Sequence, residues 1–332
     1  MRDTMDDYAS AALVGLIRGS LRRRGLVLPE ALAARADGPR VPLGLKRDLL
    51  DWVAREHGLA LVAAIGADIR HAPFDPVLHM LVRAPTGHDL IARWLRIERY
   101  FHSRHRLKVE TRGERAAVMA HVALDGVHPS AAEDLLIAGL MSGLLMAQGC
   151  EGVSLVFVQE DGPVLTVEQA ASRQATPSTD RWRLAWTAEP QRRAASDPAA
   201  LGVVETRAGG LTRRVLGILS EDPTRAWSLA GLASTLGQSP RTLQRRLAED
   251  GLSLSLAVAN VRIREACRLL GSTDTSLSLV GLLAGYADPS HFTREFRRRV
   301  GMTPTQYRRI GAEPHPEEAA ARQRSPDLAA AR

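Results

Sequence analysis

The chain has 332 residues, of which 45% are hydrophobic and 24% charged, the make-up of an ordinary soluble globular protein with room for two domains. No run approaches about 18 uninterrupted apolar residues, so no membrane span is expected, and the acidic, polar start MRDTMDDYAS does not read as a secretory signal. Two distant cysteines, Cys150 and Cys267, support neither a disulfide framework nor a zinc cluster and fit a reduced, cytoplasmic setting.

The net charge of +7 is localised. Residues 211–312 carry 15 arginines, no lysine and eight acids, whereas the remaining basic and acidic residues balance. A confined basic excess is the footprint of a polyanion binder, because cations that displace phosphate counterions supply most non-specific affinity. A merely solvated basic surface is the plain alternative.

In chain order, the first 165 or so residues read as mixed helix and strand. YASAALVGLIRGSLRRRG (8–25) and LKRDLLDWVAREHG (45–58) carry apolar residues at helical spacing and end in glycine. Residues 88–105 predict a third helix, with Leu90, Ile91, Trp94, Leu95, Ile97 and Phe101 as its buried stripe. LKVETRG (107–113) and RAAVMAHVAL (115–124) read as paired strands. Pro129 suits the first turn of a long apolar helix, and GVSLVFVQ (152–159) reads as a strand, a candidate for the sheet centre. Residues 171–210, rich in Ala, Arg, Pro, Ser and Gly, read mostly as linker, although DRWRLAWTA (180–188) has strand character. Helices alone follow from 211, and the tail 313–332 reads as disordered.

The basic region repeats itself. Leu229, Leu232, Ala233 and Gly237 match Leu277, Val280, Gly281 and Gly285 at a separation of 48, and Leu243, Arg245 and Leu247 match Phe292, Arg294 and Phe296 at 49. The second turn is therefore one residue longer. A short helix, a glycine turn and a second amphipathic helix make a helix-turn-helix. Ser239 and Asp288 are suited to accept bonds from the free N–H groups of the second helix, and Pro240 and Pro289 occupy its first position, where no N–H is missed. Outward positions hold Arg241, Gln244, Arg245 and Ala248 in the first copy, and Ser290, His291, Arg294 and Arg297 in the second. Arginine bonds guanine bidentately and glutamine bonds adenine in the major groove. Between the copies, 255–270 predicts a linker helix with Val258, Val261, Ala266, Leu269 and Leu270 buried, long enough to set the two units about one DNA turn, about 34 Å, apart.

LASTLGQSPRTLQRRL, the Arg262/Ala266/Leu269/Leu270 pattern and GYADPSHFTREFRRRVGMTPTQYRR resemble the DNA-binding domain of the AraC/XylS family of bacterial transcription regulators. The resemblance implies contacts to double-stranded DNA from Arg241, Gln244, Arg245, Ser290, His291, Thr293 and Arg294, and a closing helix from Thr303-Pro304 through Tyr307. It also implies a homodimer that answers to a small-molecule effector and meets RNA polymerase. The form SPRTLQRRL resembles the branch whose N-terminal domain is labelled arabinose-binding-like. Gly281 stands where the family usually has Ala, Tyr286 where it has Phe, and Leu279, Leu282 and Leu283 where polar residues are common. Gly281 within a helix costs about 1 kcal/mol against Ala, and the three leucines suggest a second copy that is less stable or packed against another surface.

Other features carry less. Seven of the ten histidines lie between 57 and 121, and His102 and His105 are three apart, but no ligand set accompanies them; they read as exposed histidines at a helix end, and no metal or cofactor is expected. Cys150 lacks an evident base and reads as a buried structural thiol rather than a nucleophile. Met119, Met141 and Met146 read as core or dimer face before an effector pocket. The run Arg22–Arg24 reads as solvated, while Arg297–Arg299 end the second reading helix, within reach of phosphates.

The sequence thus predicts an α+β sensing and dimerising domain (1–170), a linker (171–210), and an all-α domain (211–312) with two helix-turn-helix motifs joined by a linker helix. The function expected is sequence-specific transcription regulation, without enzymatic activity. The competing readings are an enzyme-like N-terminal domain tethered to DNA and an architectural DNA binder without sequence preference.

Overall fold

The computed structural model describes residues 7–32, 40–71, 75–98, 104–160, 162–172, 178–190 and 210–312. The predicted tail 313–332, most of the predicted linker, Phe101 and His102 lie outside the described residues. The chain divides into two compact units: one comprises residues up to 72, 81–196 and 310 onward, and the other comprises 73–80 and 197–309.

The first unit begins with β1 (Tyr8–Ser10), α1 (Ala11–Arg23), β2 (Arg40–Pro42), α2 (Leu43–His57), α3 (Leu59–Ala67) and α4 (Pro76–Val82), whose start belongs to the second unit. It continues through α5 (Gly87–Ile97), β3 (His105–Gly113), β4 (Ala116–Ala123), α6 (Ala131–Gln148), β5 (Ser154–Phe157), α7 (Val167–Ser172) and β6 (Arg181–Ala185). The larger sheet is antiparallel, in the order β3-β4-β6-β5. β5 is thus an edge strand, not a central one, and the strand inside the predicted linker, β6, lies between β4 and β5. Its Trp182 and Leu184 are buried beside Ala117 and Met119 of β4, the alternation of a half-buried strand. β6 falls within the 180–188 stretch that has strand character in the sequence.

α5 ends at Ile97, and His105, the last residue of the predicted helix, opens β3 instead. Pro129 lies outside α6, and Ser130 caps it: its side chain accepts from Glu133 N–H while the Glu133 carboxylate accepts from Ser130 N–H, a capping box. α6 is long and apolar enough to cross a membrane by length and composition, yet it is buried in the unit's interior. Its Gly139 lies so close to α3 that a Cβ would overlap the Ala63 carbonyl oxygen.

Charge is buried at the start of α6. Lys46 Nζ meets Glu133 Oε1 at 2.6 Å, both side chains 2% exposed. Asp134 accepts from His121 Nδ1 at 2.8 Å and Thr179 Oγ1 at 2.7 Å. His105 is buried on β3, with its ring 5.2 Å from that of His121; it is not the exposed helix-end residue expected. Arg23 and Arg24 likewise pair with Asp68 instead of standing free in solvent.

The second unit contains α8 (Gly210–Glu221), α9 (Leu229–Thr235), α10 (Pro240–Glu249), α11 (Leu254–Ser272), α12 (Leu277–Leu283), α13 (Pro289–Val300) and α14 (Pro304–Ala312), which runs on into the first unit. Serine or aspartate caps each of α9 to α13: Ser228, Ser239, Ser253, Ser276 and Asp288. Val215, Leu219, Leu232, Leu243, Leu247, Ala257 and Val261 form one core. Around α13 the core is aromatic, with Phe292 against Phe296 and Phe296 against Tyr307, ring centres 5.6 and 5.5 Å apart. Tyr307 also donates to the carbonyl of Pro76 at 2.7 Å.

Candidate nucleic-acid interface

α9 and α12 are each seven residues long. Four residues separate α9 from α10 and five separate α12 from α13, the predicted one-residue difference. The caps form as expected: Ser239 Oγ accepts from Thr242 N–H at 3.2 Å, Asp288 Oδ1 accepts from His291 N–H at 2.7 Å, and the prolines start both helices.

Burial is confined to one side of each helix. Leu243 and Leu247 of α10, and Phe292, Phe296 and Val300 of α13, are buried. Arg241, Gln244, Arg245, Ser290, His291, Thr293, Arg294 and Arg297 are all exposed. The structure thus brings the predicted residues onto two outward faces.

The guanidinium groups are not equivalent. Arg245 Nη1 meets Glu249 at 2.5 Å. Arg298 Nη2 meets Glu295 at 2.6 Å, and Arg299 joins the same carboxylate; these bonds, Arg298's first, hold Glu295 down to about 2. At the position matching Glu249, 49 residues on, stands Arg298, so Arg294 has no acid one turn ahead of it. Among the described residues, Arg241, Arg246, Arg294 and Arg297 show no intramolecular partner and are free for an external anion. Arg246 was not anticipated; it lies on the flank of α10, where the second copy has Glu295. His291 is braced by Tyr286, ring centres 5.5 Å apart.

The three departures from the resembled pattern gain a physical setting. Gly281 packs against Phe292, and Leu279, Leu282 and Leu283 are 45%, 59% and 45% exposed. The Tyr286 hydroxyl is buried without a hydrogen-bond partner, and burial pushes its pKa up to about 12, with Glu295 adding.

Cys150 is buried with Gln148 and Glu189 near its sulfur, and burial, then the Glu189 charge, pushes the thiol up to about 12, the reverse of what a thiolate nucleophile needs. Met119 and Met141 are fully buried core residues and Met146 is 38% exposed.

Residues 232–310 match the family described as "Helix-turn-helix domain". Similar curated proteins include the HTH-type transcriptional regulator VirS of Mycobacterium tuberculosis, 41% identical over 105 residues, which are 32% of this chain and 29% of that protein. Another is the HTH-type transcriptional regulator GadX of Escherichia coli, 32% identical over 119 residues, 36% of this chain and 42% of that protein. The chain therefore spans well under half the length of these relatives. Among solved structures, a DNA-binding transcriptional dual regulator from Escherichia coli K-12 is 30% identical with a TM-score of 0.31, covering 32% of this chain and 97% of that one. The DNA-binding domain of AdpA, solved with a target DNA, is 27% identical with a TM-score of 0.28, covering 36% and 99%. The C-terminal part of the chain is a helix-turn-helix DNA-binding domain of the AraC type.

Proposed function

We propose that the whole chain is a cytoplasmic, sequence-specific transcription regulator whose second unit reads DNA with two helix-turn-helix pairs, α9–α10 and α12–α13, joined by α11. α10 and α13 act as reading helices. Arg241, Gln244 and Arg245 on the first, and Ser290, His291, Thr293 and Arg294 on the second, face base edges and backbone, with Arg246 and Arg297 on phosphates. The observation that carries the reading is the repeated cap followed by an outward face with unpartnered arginines. A purely structural hairpin has no use for free guanidinium groups in both copies.

The first unit is proposed to sense a small molecule and to dimerise, biasing an arrangement competent for DNA. Contact with RNA polymerase would turn occupancy into regulation. Selection of duplexes from a random pool by the full chain, followed by footprinting, tests the reading. The expected result is one discrete protected site spanning two adjacent major grooves. Uniform protection along any duplex would instead identify an architectural binder.

A further inference from the structure

The two helix-turn-helix turns are alike in sequence but unlike in surroundings. Gly237 has a φ of 63° and open space where a Cβ would stand. Gly285 has a φ of 91°, and a Cβ there would collide with the Pro223 carbonyl oxygen and lie 2.8 Å from Arg262 Nε. That same carbonyl, in the loop between α8 and α9, accepts a hydrogen bond from Arg262 Nε at 3.0 Å. The Arg262 guanidinium also lies 5.9 Å from the centre of the Tyr286 ring, next to Gly285. A loop of the first copy, the middle of the linker helix and the turn of the second copy therefore meet at one point.

The loop is itself braced. Asp222 Oδ1 accepts from the N–H groups of Thr224 and Arg225 at 3.0 and 3.1 Å, and Trp227 Nε1 donates to the Asp222 carbonyl at 3.0 Å. The Arg225 guanidinium covers the Trp227 ring at 4.3 Å. The Pro223 carbonyl is thus a fixed acceptor, and a charged donor bonds it more strongly than a neutral one would.

We propose that Arg262 is a positioning residue: by clamping the Pro223 carbonyl against the Gly285 turn, it fixes the orientation of α13 relative to α10 so that both enter the same duplex in register. This rests on the two-helix reading of DNA above. Two modules held in register bind a double site far better than either half, by a factor on the order of 100 to 10,000. Releasing the clamp removes part of that factor and leaves each half's own contacts in place.

The test uses the full-length chain, the duplex it selects from a random pool, and duplexes carrying only one half of the protected site. R262A is expected to lower affinity for the whole site by about tenfold or more while each half-site stays within about twofold. It should also bind a whole site with one base pair inserted between the halves nearly as well as the original, whereas the wild type discriminates. Unchanged whole-site affinity, or an equal loss on whole and half sites, overturns the proposal. R262K, which keeps the stem and the charge but not the guanidinium, decides the matter by the same whole-to-half ratio if the alanine variant does not fold: a ratio below that of the wild type supports the clamp, and a wild-type ratio contradicts it. R245A with R294A is the control for the underlying reading. If that pair leaves operator preference intact, the reading itself has failed; if it abolishes preference and R262A does nothing, only the clamp has failed.

Discussion

Gly281 of α12 lies against Phe292 of α13 so closely that a Cβ at 281 would stand 3.0 Å from two carbons of the ring. The matching pair in the first copy is Ala233 and Leu243, both fully buried. The second copy has lost a methyl on one helix where it gained an aromatic ring on the other. Its unusual glycine is a packing compensation. The prediction is that G281A lowers stability by about 1 kcal/mol, overpacking outweighing the gain in helix propensity. G281A with F292L should cost less than the two single changes together, by about 1 kcal/mol. Denaturant unfolding of the four proteins measures this; strict additivity would deny the coupling.

Tyr286 offers a second test of the same core. Its buried hydroxyl has no partner, and such a group carries a desolvation cost of about 1–3 kcal/mol. Y286F is therefore expected to leave stability unchanged or to raise it by about 1 kcal/mol. A clear loss of stability on thermal or denaturant unfolding would show that the hydroxyl has a role.

The Arg245–Glu249 pair is exposed on both sides, 67% and 57%, so breaking it should change stability by no more than about 0.5 kcal/mol. Removing the acid beside a DNA-facing arginine should instead help binding. E249Q is predicted to raise operator affinity about twofold to tenfold at low salt, with the gain shrinking as salt rises. A fall in affinity would mean that Glu249 itself accepts from a base.

In the first unit, burial opposes the Glu133 charge, but the Lys46 ammonium outweighs it and holds the carboxyl at about 2 against its ordinary 4.5. A depressed carboxylate contributes stability that is complete above about 4.5 and is lost as the pH falls toward about 2. E133Q should flatten that part of the acid limb, leaving the slope due to Asp68 and Glu295, which are also held at about 2. At neutral pH it should cost about 3 kcal/mol by leaving the Lys46 charge buried alone, and adding K46M should recover part of that loss. Unfolding from pH 2 to 7 checks both statements; an unchanged acid limb in E133Q would contradict the assignment.

The helices of the second unit were legible because their signals are local: a Ser or Asp cap, Pro at the first position, and Leu or Phe every fourth residue. The outward faces followed from the same period. Less legible was which arginines are free, since that depends on the acid one turn away, as Glu249 and Glu295 show. Contacts across long sequence separations were not legible at all. Arg262 on Pro223, Tyr307 on Pro76 and Lys46 on Glu133 join residues that no local pattern connects. β6 was legible only as strand character in 180–188, where Trp182 and Leu184 alternate with arginines Arg181 and Arg183; its place between β4 and β5 depends on long-range pairing that the linker-like composition around it does not signal.

The central claim is that Arg245 and Arg294, equivalent residues on two repeated helices, read sequence in DNA. The most direct measurement compares the full chain with its R245A/R294A variant on the selected operator and on a scrambled duplex of the same composition, at one fixed salt concentration. The ratio of the two affinities is predicted to fall by at least about thirtyfold in the variant. A ratio equal to that of the wild type would contradict the account.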